Sequence, residues 1–260
     1  MADRLADVRA VLLDLDGVLY VEGEAVPGAP DAVARLRGAG LPLRFVTNTT
    51  ARSREQTLAR LAALGFEVAP SELVTPAALA AQMCAQRGLH RVALVMNDAV
   101  KGDFPGLEEA DDGVEAVIMG DLGEQMGYAT LNRAFRHVMA GAELIALQKN
   151  RFWLTADGLA LDAGPFVAAI EYATGRQADV VGKPSAAFFE LVLADLGTDA
   201  AHAAMVGDDV EVDVGGAQAA GLAGILVRTG KYRADVVAAS GVRPAAVAGS
   251  IADVPALLHC

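Results

Sequence analysis

The sequence predicts an α/β fold in which a parallel-sheet domain is interrupted by a second α/β domain. Apolar strands alternate with amphipathic helices at both ends of the 260-residue chain, which is the pattern of a parallel sheet covered by helices. The stretch from about Leu79 to Asp179 has strands and helices of its own. An acidic segment also follows an apolar strand near each end, and in such sheets ligands bind at the carboxyl edge of the strands.

The N-terminal segment supplies the first half of the predicted sheet domain. A buried strand at 11–13 is followed by a helix over 31–39 and a second strand at 43–46. Ser53 and Gln56 have the spacing of a capping box, which predicts a helix starting there and stopping at Gly65.

The last third of the chain returns to the same alternation. Its predicted elements are a helix from near Pro184 to Gly197, a strand at 203–206, a helix at 210–220 and a strand at 222–227. The middle region is predicted to contain strands at 92–96, 114–118 and 143–146, and helices at 128–140 and 166–174. We therefore expect a discontinuous core domain over 1–78 and 182–260, with an inserted domain over 79–181; the pattern of residues 238–249 determines no element.

Composition narrows the function classes. The net charge of −12 argues against nucleic-acid or membrane-surface partners, which need a basic face. Hydrophobic residues make up 53% of the chain and aromatic residues only 5%, so the expected core is aliphatic. Cys84 and Cys260 have no metal-ligand spacing, and no apolar stretch approaches the roughly 18 residues of a membrane span. We expect a cytoplasmic protein.

Two acidic segments are the strongest signals of chemistry. Asp14 and Asp16 follow the first apolar strand, and the segment Gly207-Asp208-Asp209 follows another, with Asp213 close behind. Neighbouring carboxylates repel unless a cation lies between them or one stays protonated. Two acidic strand ends that converge suit a hard divalent ion such as Mg²⁺. Each segment by itself is also typical of an ordinary Asp-Gly or Gly-Asp turn.

Two further segments follow predicted strands at the same edge. They are Val46-Thr47-Asn48-Thr49-Thr50 and Gly182-Lys183-Pro184. Alone, the first is typical of a polar turn and the second of a solvated lysine before a helix. Together with the acidic segments they supply a nucleophile, an acid/base, a metal site and donors for phosphoryl oxygens, which phosphoryl transfer requires.

These four segments in this order resemble the haloacid dehalogenase-like hydrolase superfamily, specifically its subclass IIA phosphatases. Further stretches carry the resemblance: Arg44-Phe45 before the second segment, Asp157-Gly158-Leu159-Ala160-Leu161, Gly164-Pro165-Phe166, Asp213 to Gln218, Gly224 to Val227, and Thr229 to Arg233. The resemblance implies a Rossmann-like parallel-sheet core domain with a large inserted α/β cap domain. It also implies a Mg²⁺-dependent phosphatase that acts on a small phosphorylated substrate through an aspartyl-phosphate.

The resemblance also assigns catalytic and substrate-binding roles. Asp14 would be the nucleophile that accepts the phosphoryl group. Asp16 would protonate the leaving atom and then accept a proton from the attacking water. The phosphoryl oxygens would be held by a set of hydroxyl, amide and ammonium donors from Thr47, Asn48, Thr49 and Lys183.

The implied metal site uses the same two strand ends. The Asp14 carboxylate, the Asp16 backbone carbonyl and Asp208 would hold Mg²⁺. Asp213 and Asp209 would orient water molecules around the ion.

The cap segment Leu147-Gln148-Lys149-Asn150-Arg151 departs from the Thr-Asn-Pro-Asp type sequence of many subclass members. Either Lys149 or Arg151 lines a site for an anionic substrate, or the segment is a solvated hairpin tip. Apolar residues exposed on the cap would favour a homodimer.

Three other functions share parts of this pattern. A phosphomutase or phosphotransferase would pass the phosphoryl group to a sugar, and a non-catalytic phosphate-binding protein would bind without turnover. A hydrolytic dehalogenase needs neither Asp16 nor the Asp208 segment, so both argue against it. The segment from Gly224 to Lys231 resembles a P-loop, but Tyr232 replaces the required Ser or Thr.

Overall fold

The computed structural model describes residues 3–155 and 158–260. Within them the chain forms two compact units. The first is drawn from 1–47, 58–74 and 183–260, and the second from 48–57 and 75–182. The domain boundaries expected from the sequence stay predictions. Asp157, part of one of the stretches that carry the resemblance, lies outside the described residues.

A six-stranded parallel sheet forms the centre of the first unit. Its strands, in spatial order, are Ala246–Ala248, Ala223–Val227, Ala203–Gly207, Ala10–Asp14, Leu43–Val46 and Leu73–Val74. The helices that lie wholly in this unit are Asp3–Ala6, Ala29–Gly38, Ala186–Leu196, Gly216–Ala219, Ala234–Ser240 and Val254–Leu257, and the helix Arg54–Ala63 belongs to it from Leu58 onward. Short 3₁₀ turns occur at Pro70–Glu72, Ala200–His202 and Ile251–Asp253, and a hairpin pairs Tyr20–Val21 with Glu24–Ala25.

The central strand Ala10–Asp14 is buried along its whole length. A strand covered on both faces has apolar residues in succession rather than in alternation, and Ala10 to Leu13 follows that rule. Val11 and Leu13 belong to a core cluster that also contains Phe45 and Val206. Because the strand is buried, the position of Asp14 at its carboxyl end is held by the surrounding core.

The register of the sheet aligns the strand ends that carry polar residues. Leu13 pairs with Val206, and Asp14 pairs with Val46. Asp14 is therefore level with Gly207, one residue before Asp208. Since all these strands are parallel, their carboxyl ends lie at the same edge of the sheet.

The segment after strand Ala203–Gly207 differs from the single helix expected over 210–220. A turn of π-helix over Val210–Gly215 is followed by an α-helix over Gly216–Ala219. The amides of Asp213 and Val214 both donate to the carbonyl of Asp209, at 3.0 and 3.2 Å. This wider turn lays the Asp213 side chain over Gly207, where a Cβ would overlap the Asp213 carboxylate. Turns of this kind are frequent at functional sites.

The second unit contains a five-stranded parallel sheet. Its strands, in spatial order, are Asp179–Val180, Glu143–Ala146, Ala116–Met119, Arg91–Val95 and Glu108–Glu109. Its helices are Pro76–Arg87, Asp98–Lys101, Tyr128–Met139 and Ala163–Thr174, with a 3₁₀ turn at Gly123–Gln125. A hairpin pairs Phe152–Thr155 with Gly158–Leu161. The predicted α/β class, with a parallel-sheet core and an inserted α/β domain, is confirmed.

Several local predictions can be compared directly with these elements. The capping box is present: the Gln56 amide donates to Ser53 Oγ at 3.2 Å and the Ser53 amide to Gln56 Oε1 at 3.1 Å. The region 238–249, for which the pattern gave no element, contains the end of a helix and the edge strand Ala246–Ala248. None of the helices within the described residues has the length and apolar character needed to cross a membrane.

Candidate active site

Three buried carboxylates meet at the carboxyl edge of the first sheet. Asp14, Asp208 and Asp213 each offer an oxygen atom, and these atoms lie within 4.8 Å of one another. Asp14 ends the central strand, Asp208 follows the neighbouring strand, and the π-turn brings in Asp213. Buried acids at this separation repel strongly, so the arrangement requires compensating positive charge.

Part of that charge comes from Lys183, whose side chain is 2% exposed. Its Nζ lies 2.6 Å from Asp14 Oδ1 and 2.7 Å from Asp213 Oδ1. Burial alone would lower the pKa of Lys183, but the carboxylates of Asp14 and Asp213 outweigh that effect and raise it. Lys183 therefore carries a fixed positive charge at neutral pH.

One lysine leaves the cluster with excess negative charge. Burial and the Asp14 carboxylate raise the pKa of Asp208 to about 8, although the Lys231 amide, which donates to Asp208 Oδ2 at 2.6 Å, opposes the shift. Burial also raises the pKa of Asp213, against the opposing charge of Lys183. Both raised pKa values mean that these carboxyl groups are protonated more easily when no further cation neutralises the cluster.

The residues present fit a bound Mg²⁺ ion. Carboxylate oxygens are the ligands this hard ion prefers, and a divalent cation would relieve the repulsion that raises these pKa values. Asp213 has both oxygens engaged, one by Lys183 and one by the Asp209 amide at 3.2 Å. With both oxygens already bonded, Asp213 is suited to orienting Lys183 and the groups around the ion. Asp14 and Asp208 are the better candidates for binding Mg²⁺ directly.

We predict that stabilisation by Mg²⁺ increases with pH. A carboxyl group with a raised folded-state pKa stabilises the fold below its unfolded value of about 4 and loses that contribution as pH rises through its folded value. Without metal, the Asp208 contribution is therefore lost between about pH 4 and pH 8. Thermal unfolding in EDTA and in Mg²⁺ at about pH 5.5 and pH 8 should show the larger metal-induced rise in Tm at the higher pH.

The variant D208N is the control for this measurement, because it removes the carboxyl group with the largest expected contribution. It should show a weaker metal effect and a flatter dependence on pH. Equal Mg²⁺-induced shifts at both pH values in the unsubstituted protein would contradict the prediction.

We also predict that K183M strongly destabilises the fold. The substitution leaves Asp14 and Asp213 buried without their cation, and losing one partner of a buried ion pair costs about 3–5 kcal/mol of unfolding free energy. Denaturant unfolding at neutral pH measures the decrease in unfolding free energy. The double variant K183M/D213N should recover part of that free energy, because the Asp213 carboxylate that would lack its cation has been removed.

Lys101→Met is the matched control, since Lys101 pairs with Asp98 and Glu109 at the surface of the second unit. Surface pairs contribute at most about 1 kcal/mol. A K183M protein that unfolds like K101M would contradict the prediction.

Asp16 is exposed to solvent and is oriented by Tyr20. The Tyr20 hydroxyl donates to Asp16 Oδ2 at 3.1 Å, and the Arg60 guanidinium lies 4.7 Å from the centre of the Tyr20 ring. Burial, assisted by the negative charge of Asp16, raises the pKa of Tyr20, so this hydroxyl remains a donor. Sequence reasoning missed the contact.

The other predicted site residues lie in several local environments. Thr47 is buried and its amide donates to the Val74 carbonyl at 3.3 Å, whereas Asn48 and Thr49 belong to the second unit and are half-buried. Asp209 caps the π-turn by accepting from the amides of Glu211 and Val212, each at 3.0 Å.

The two basic residues predicted on the second unit differ in their surroundings. The Lys149 ammonium binds both oxygens of the buried Glu171, at 2.9 and 2.8 Å, so its charge is already matched. Arg151 is exposed. Both precede the hairpin that starts at Phe152, so neither lies at its tip.

The segment Thr229-Gly230-Lys231 belongs to the site although it was not predicted to. The Thr229 hydroxyl donates to the Gly17 carbonyl, and the Lys231 amide reaches Asp208. A Cβ at Gly17, where φ is +84°, or at Gly230 would overlap the Asp208 carboxylate. Only glycine allows the two loops to approach this closely.

Comparison with known proteins gives matches over most of the chain. A family model described as haloacid dehalogenase-like hydrolase matches residues 11–107, and one described as HAD-hydrolase-like matches residues 180–254. Human haloacid dehalogenase-like hydrolase domain-containing protein 2 is 48% identical over 227 residues, covering 87% of this chain and 86% of that protein. Bovine phospholysine phosphohistidine inorganic pyrophosphate phosphatase is 43% identical over 237 residues, with coverages of 89% and 87%.

Solved structures of phosphatases are also similar to this chain over most of its length. The p-nitrophenyl phosphatase of Archaeoglobus fulgidus superposes with a TM-score of 0.89 at 28% identity, covering 95% of this chain and 98% of that chain. A Mycobacterium tuberculosis glycerol phosphate phosphatase in complex with magnesium gives 0.84 at 30% identity, with coverages of 98% and 77%. The two matched family ranges contain Asp14, Lys183, Asp208 and Asp213.

Proposed function

The chain belongs to the haloacid dehalogenase-like hydrolases and is a phosphate-hydrolysing enzyme, and from this premise we propose that it is a Mg²⁺-dependent phosphatase that works through an aspartyl-phosphate on Asp14. Its substrates would be small phosphorylated compounds. The observation that supports this proposal most directly is the buried cluster of Asp14, Asp208 and Asp213 around Lys183.

In the first step an Asp14 carboxylate oxygen attacks the phosphorus atom. The bond between phosphorus and the leaving atom breaks, its electron pair stays with the leaving atom, and Asp16 supplies the proton. The Lys183 contact orients the Asp14 carboxylate for this attack. Tyr20 holds Asp16, and the exposure of Asp16 leaves it accessible to the leaving group.

In the second step a water molecule attacks the phosphorus of the aspartyl-phosphate. Asp16, now ionised, accepts a proton from that water, and the bond between phosphorus and Asp14 breaks. The products are inorganic phosphate and the free Asp14 carboxylate. One carboxyl group acts in turn as acid and base, as microscopic reversibility requires.

The Asp14 carboxylate, the Asp16 backbone carbonyl and Asp208 would hold Mg²⁺. When bound, the ion supplies positive charge to the oxygens of the transferred phosphoryl group. In this proposal Asp213 and Asp209 orient the surroundings of the ion, and Asp213 also positions Lys183.

Thr47, Asn48 and Thr49 complete the proposed site as donors to phosphoryl oxygens. Hydroxyls and amides that follow a strand are suited to that role. The substrate range is proposed to include phosphoramidates, pyrophosphate and phosphomonoesters. The bovine relative is named for phospholysine, phosphohistidine and pyrophosphate, and the archaeal structure for p-nitrophenyl phosphate.

Release of phosphate from a panel of small compounds tests the proposal. The panel contains p-nitrophenyl phosphate, pyrophosphate, imidodiphosphate, phospholysine, phosphoglycolate and pyridoxal phosphate, each with about 5 mM Mg²⁺ or with EDTA. We expect release in Mg²⁺ that disappears in EDTA. No release from any compound by folded, metal-loaded protein would overturn the proposal and favour a mutase or a binding protein.

The cytoplasmic location and the homodimer remain predictions. Cys84 and Cys260 are free thiols, as expected in a reducing compartment. The second unit exposes large apolar side chains such as Tyr128 and Tyr172, which support a homodimer.

A further inference from the structure

Lys231 is held close to the carboxylate cluster by its own backbone. Its amide donates to Asp208 Oδ2 at 2.6 Å, and the preceding Gly230 packs against Gly17. The Thr229 hydroxyl bonds to the Gly17 carbonyl. Three successive residues are thus anchored to Gly17, in the loop after Asp14, and to Asp208.

The Lys231 ammonium differs from the other cations of its segment. The Arg228 guanidinium lies 6.0 Å from the centre of the Tyr232 ring, and Arg233 binds Asp235 at 2.6 and 3.2 Å. Within the part of the chain that the structure describes, the Lys231 side chain forms no hydrogen bond or ion pair. It is available for a ligand.

The Lys231 ammonium carries its positive charge at neutral pH, as an ordinary lysine does. Its side chain is exposed to solvent, unlike that of Lys183.

The two lysines therefore lie at different depths. Lys183 is buried on the nucleophile Asp14, where the transferred phosphoryl group must sit. In an in-line displacement the leaving group points away from the nucleophile, and Lys231 is an exposed cation on the loop that contacts Asp208. A second anion attached to the phosphoryl group is the ligand that such a cation suits.

We propose that Lys231 is a specificity-determining residue that binds a second anionic group on the leaving side of the substrate. The favoured substrates are then compounds in which the transferred phosphoryl group is joined to another anion, with inorganic pyrophosphate as the simplest example. In that case the bridging P–O bond breaks, the leaving phosphate keeps the electron pair and receives the Asp16 proton, and Lys231 neutralises its charge. This inference rests on the proposed phosphatase function.

K231M tests the inference because it removes the ammonium and retains the amide that binds Asp208. Two substrates are compared, pyrophosphate and p-nitrophenyl phosphate, whose leaving side carries no second phosphoryl group. We expect K231M to lose about tenfold to a hundredfold in kcat/KM for pyrophosphate, the range for a hydrogen bond to a charged group. The loss for p-nitrophenyl phosphate should stay below about threefold.

Inhibition of p-nitrophenyl phosphate hydrolysis measures how tightly a diphosphate binds, even when the diphosphate itself is not hydrolysed. Methylenediphosphonate, a non-hydrolysable diphosphate, should inhibit p-nitrophenyl phosphate hydrolysis more weakly in K231M, by a similar factor. Inhibition by inorganic phosphate should change little. K231R, which keeps a positive charge that can bind an anion, should recover most of the loss in both diphosphate readouts. R233M, which loses a cation already paired with Asp235, should match the unsubstituted protein.

Different failures are distinguishable. If the unsubstituted protein releases no phosphate from either compound in Mg²⁺, the proposed function itself fails. If it hydrolyses p-nitrophenyl phosphate but neither hydrolyses pyrophosphate nor is inhibited by methylenediphosphonate, only the inference about Lys231 fails. Equal losses for both substrates in K231M, or no loss for either, would also overturn that inference.

Discussion

Replacement of Asp14 by asparagine is expected to abolish phosphate release from every substrate. The amide cannot attack phosphorus to form the covalent intermediate, and loss of a nucleophile costs on the order of 10⁴-fold or more in rate. Lys183 retains its contact with Asp213 at 2.7 Å, and asparagine has nearly the volume of aspartate. The fold should therefore survive the substitution.

Phosphate release measured beside circular dichroism and thermal unfolding separates loss of chemistry from loss of structure. D235N is the matched control, because Asp235 lies in the same unit but pairs with Arg233 at the surface. D235N should keep full activity. Near-normal turnover by D14N would refute the assignment of the nucleophile.

The second large effect is expected for D16N, with a loss on the order of 10²–10⁴ in rate, as for other general acid–base catalysts. The asparagine can still accept the Tyr20 hydrogen bond, so its position should be kept while proton transfer is lost. The first step needs little proton donation when the leaving group is p-nitrophenolate. The loss in that step should therefore be smaller for p-nitrophenyl phosphate than for an alkyl phosphate.

Hydrolysis of the intermediate still needs a base, so phosphoenzyme should accumulate in D16N. Rapid mixing with p-nitrophenyl phosphate should show a burst of product about equal to the enzyme concentration, and intact-protein mass should show a covalent phosphoryl group that D14N/D16N lacks. Rates and a pH–rate profile like those of the unsubstituted protein would refute the acid–base role of Asp16.

The sequence predicted much of the fold because parallel α/β sheets have a simple pattern. Apolar runs such as Ala10 to Leu13 indicate buried strands, and polar residues directly after them lie at one edge. That rule predicts the neighbourhood of Asp14 and Asp208. The expectation that Lys183 follows a strand of the same sheet is wrong, because the strand before it, Asp179–Val180, belongs to the sheet of the second unit, and the Lys183 side chain contacts Asp14 through tertiary packing. The roles of these residues come from family resemblance and stay predictions until they are measured.

Other features have no local sequence signal. The π-turn at Val210–Gly215 lays Asp213 over Gly207, a packing that the residue types alone do not indicate. The Tyr20–Asp16 hydrogen bond depends on how a turn folds back. In both cases, which two residues come into contact depends on the three-dimensional packing of the chain.

Lys231 could have been found with the rule that located the other residues. Thr229, Gly230 and Lys231 come two to four residues after the parallel strand Ala223–Val227, so they are polar residues near the carboxyl end of a strand like the others. The resemblance of the segment to a P-loop fails at Tyr232 and does not predict its contact with Asp208. The contact of Lys231 with Asp208 is made by a backbone amide. Because every residue except proline has such an amide, the residue type does not indicate this contact.

The position of strand Ala10–Asp14 in the sheet has a consequence for biosynthesis. One of its neighbours, Leu43–Val46, is made soon afterwards, but the other, Ala203–Gly207, emerges from the ribosome much later. At ordinary translation speeds this delay is on the order of ten seconds. During that time an apolar strand edge has no partner and is exposed to aggregation, so we expect the nascent chain to depend on chaperones until its last third is synthesised.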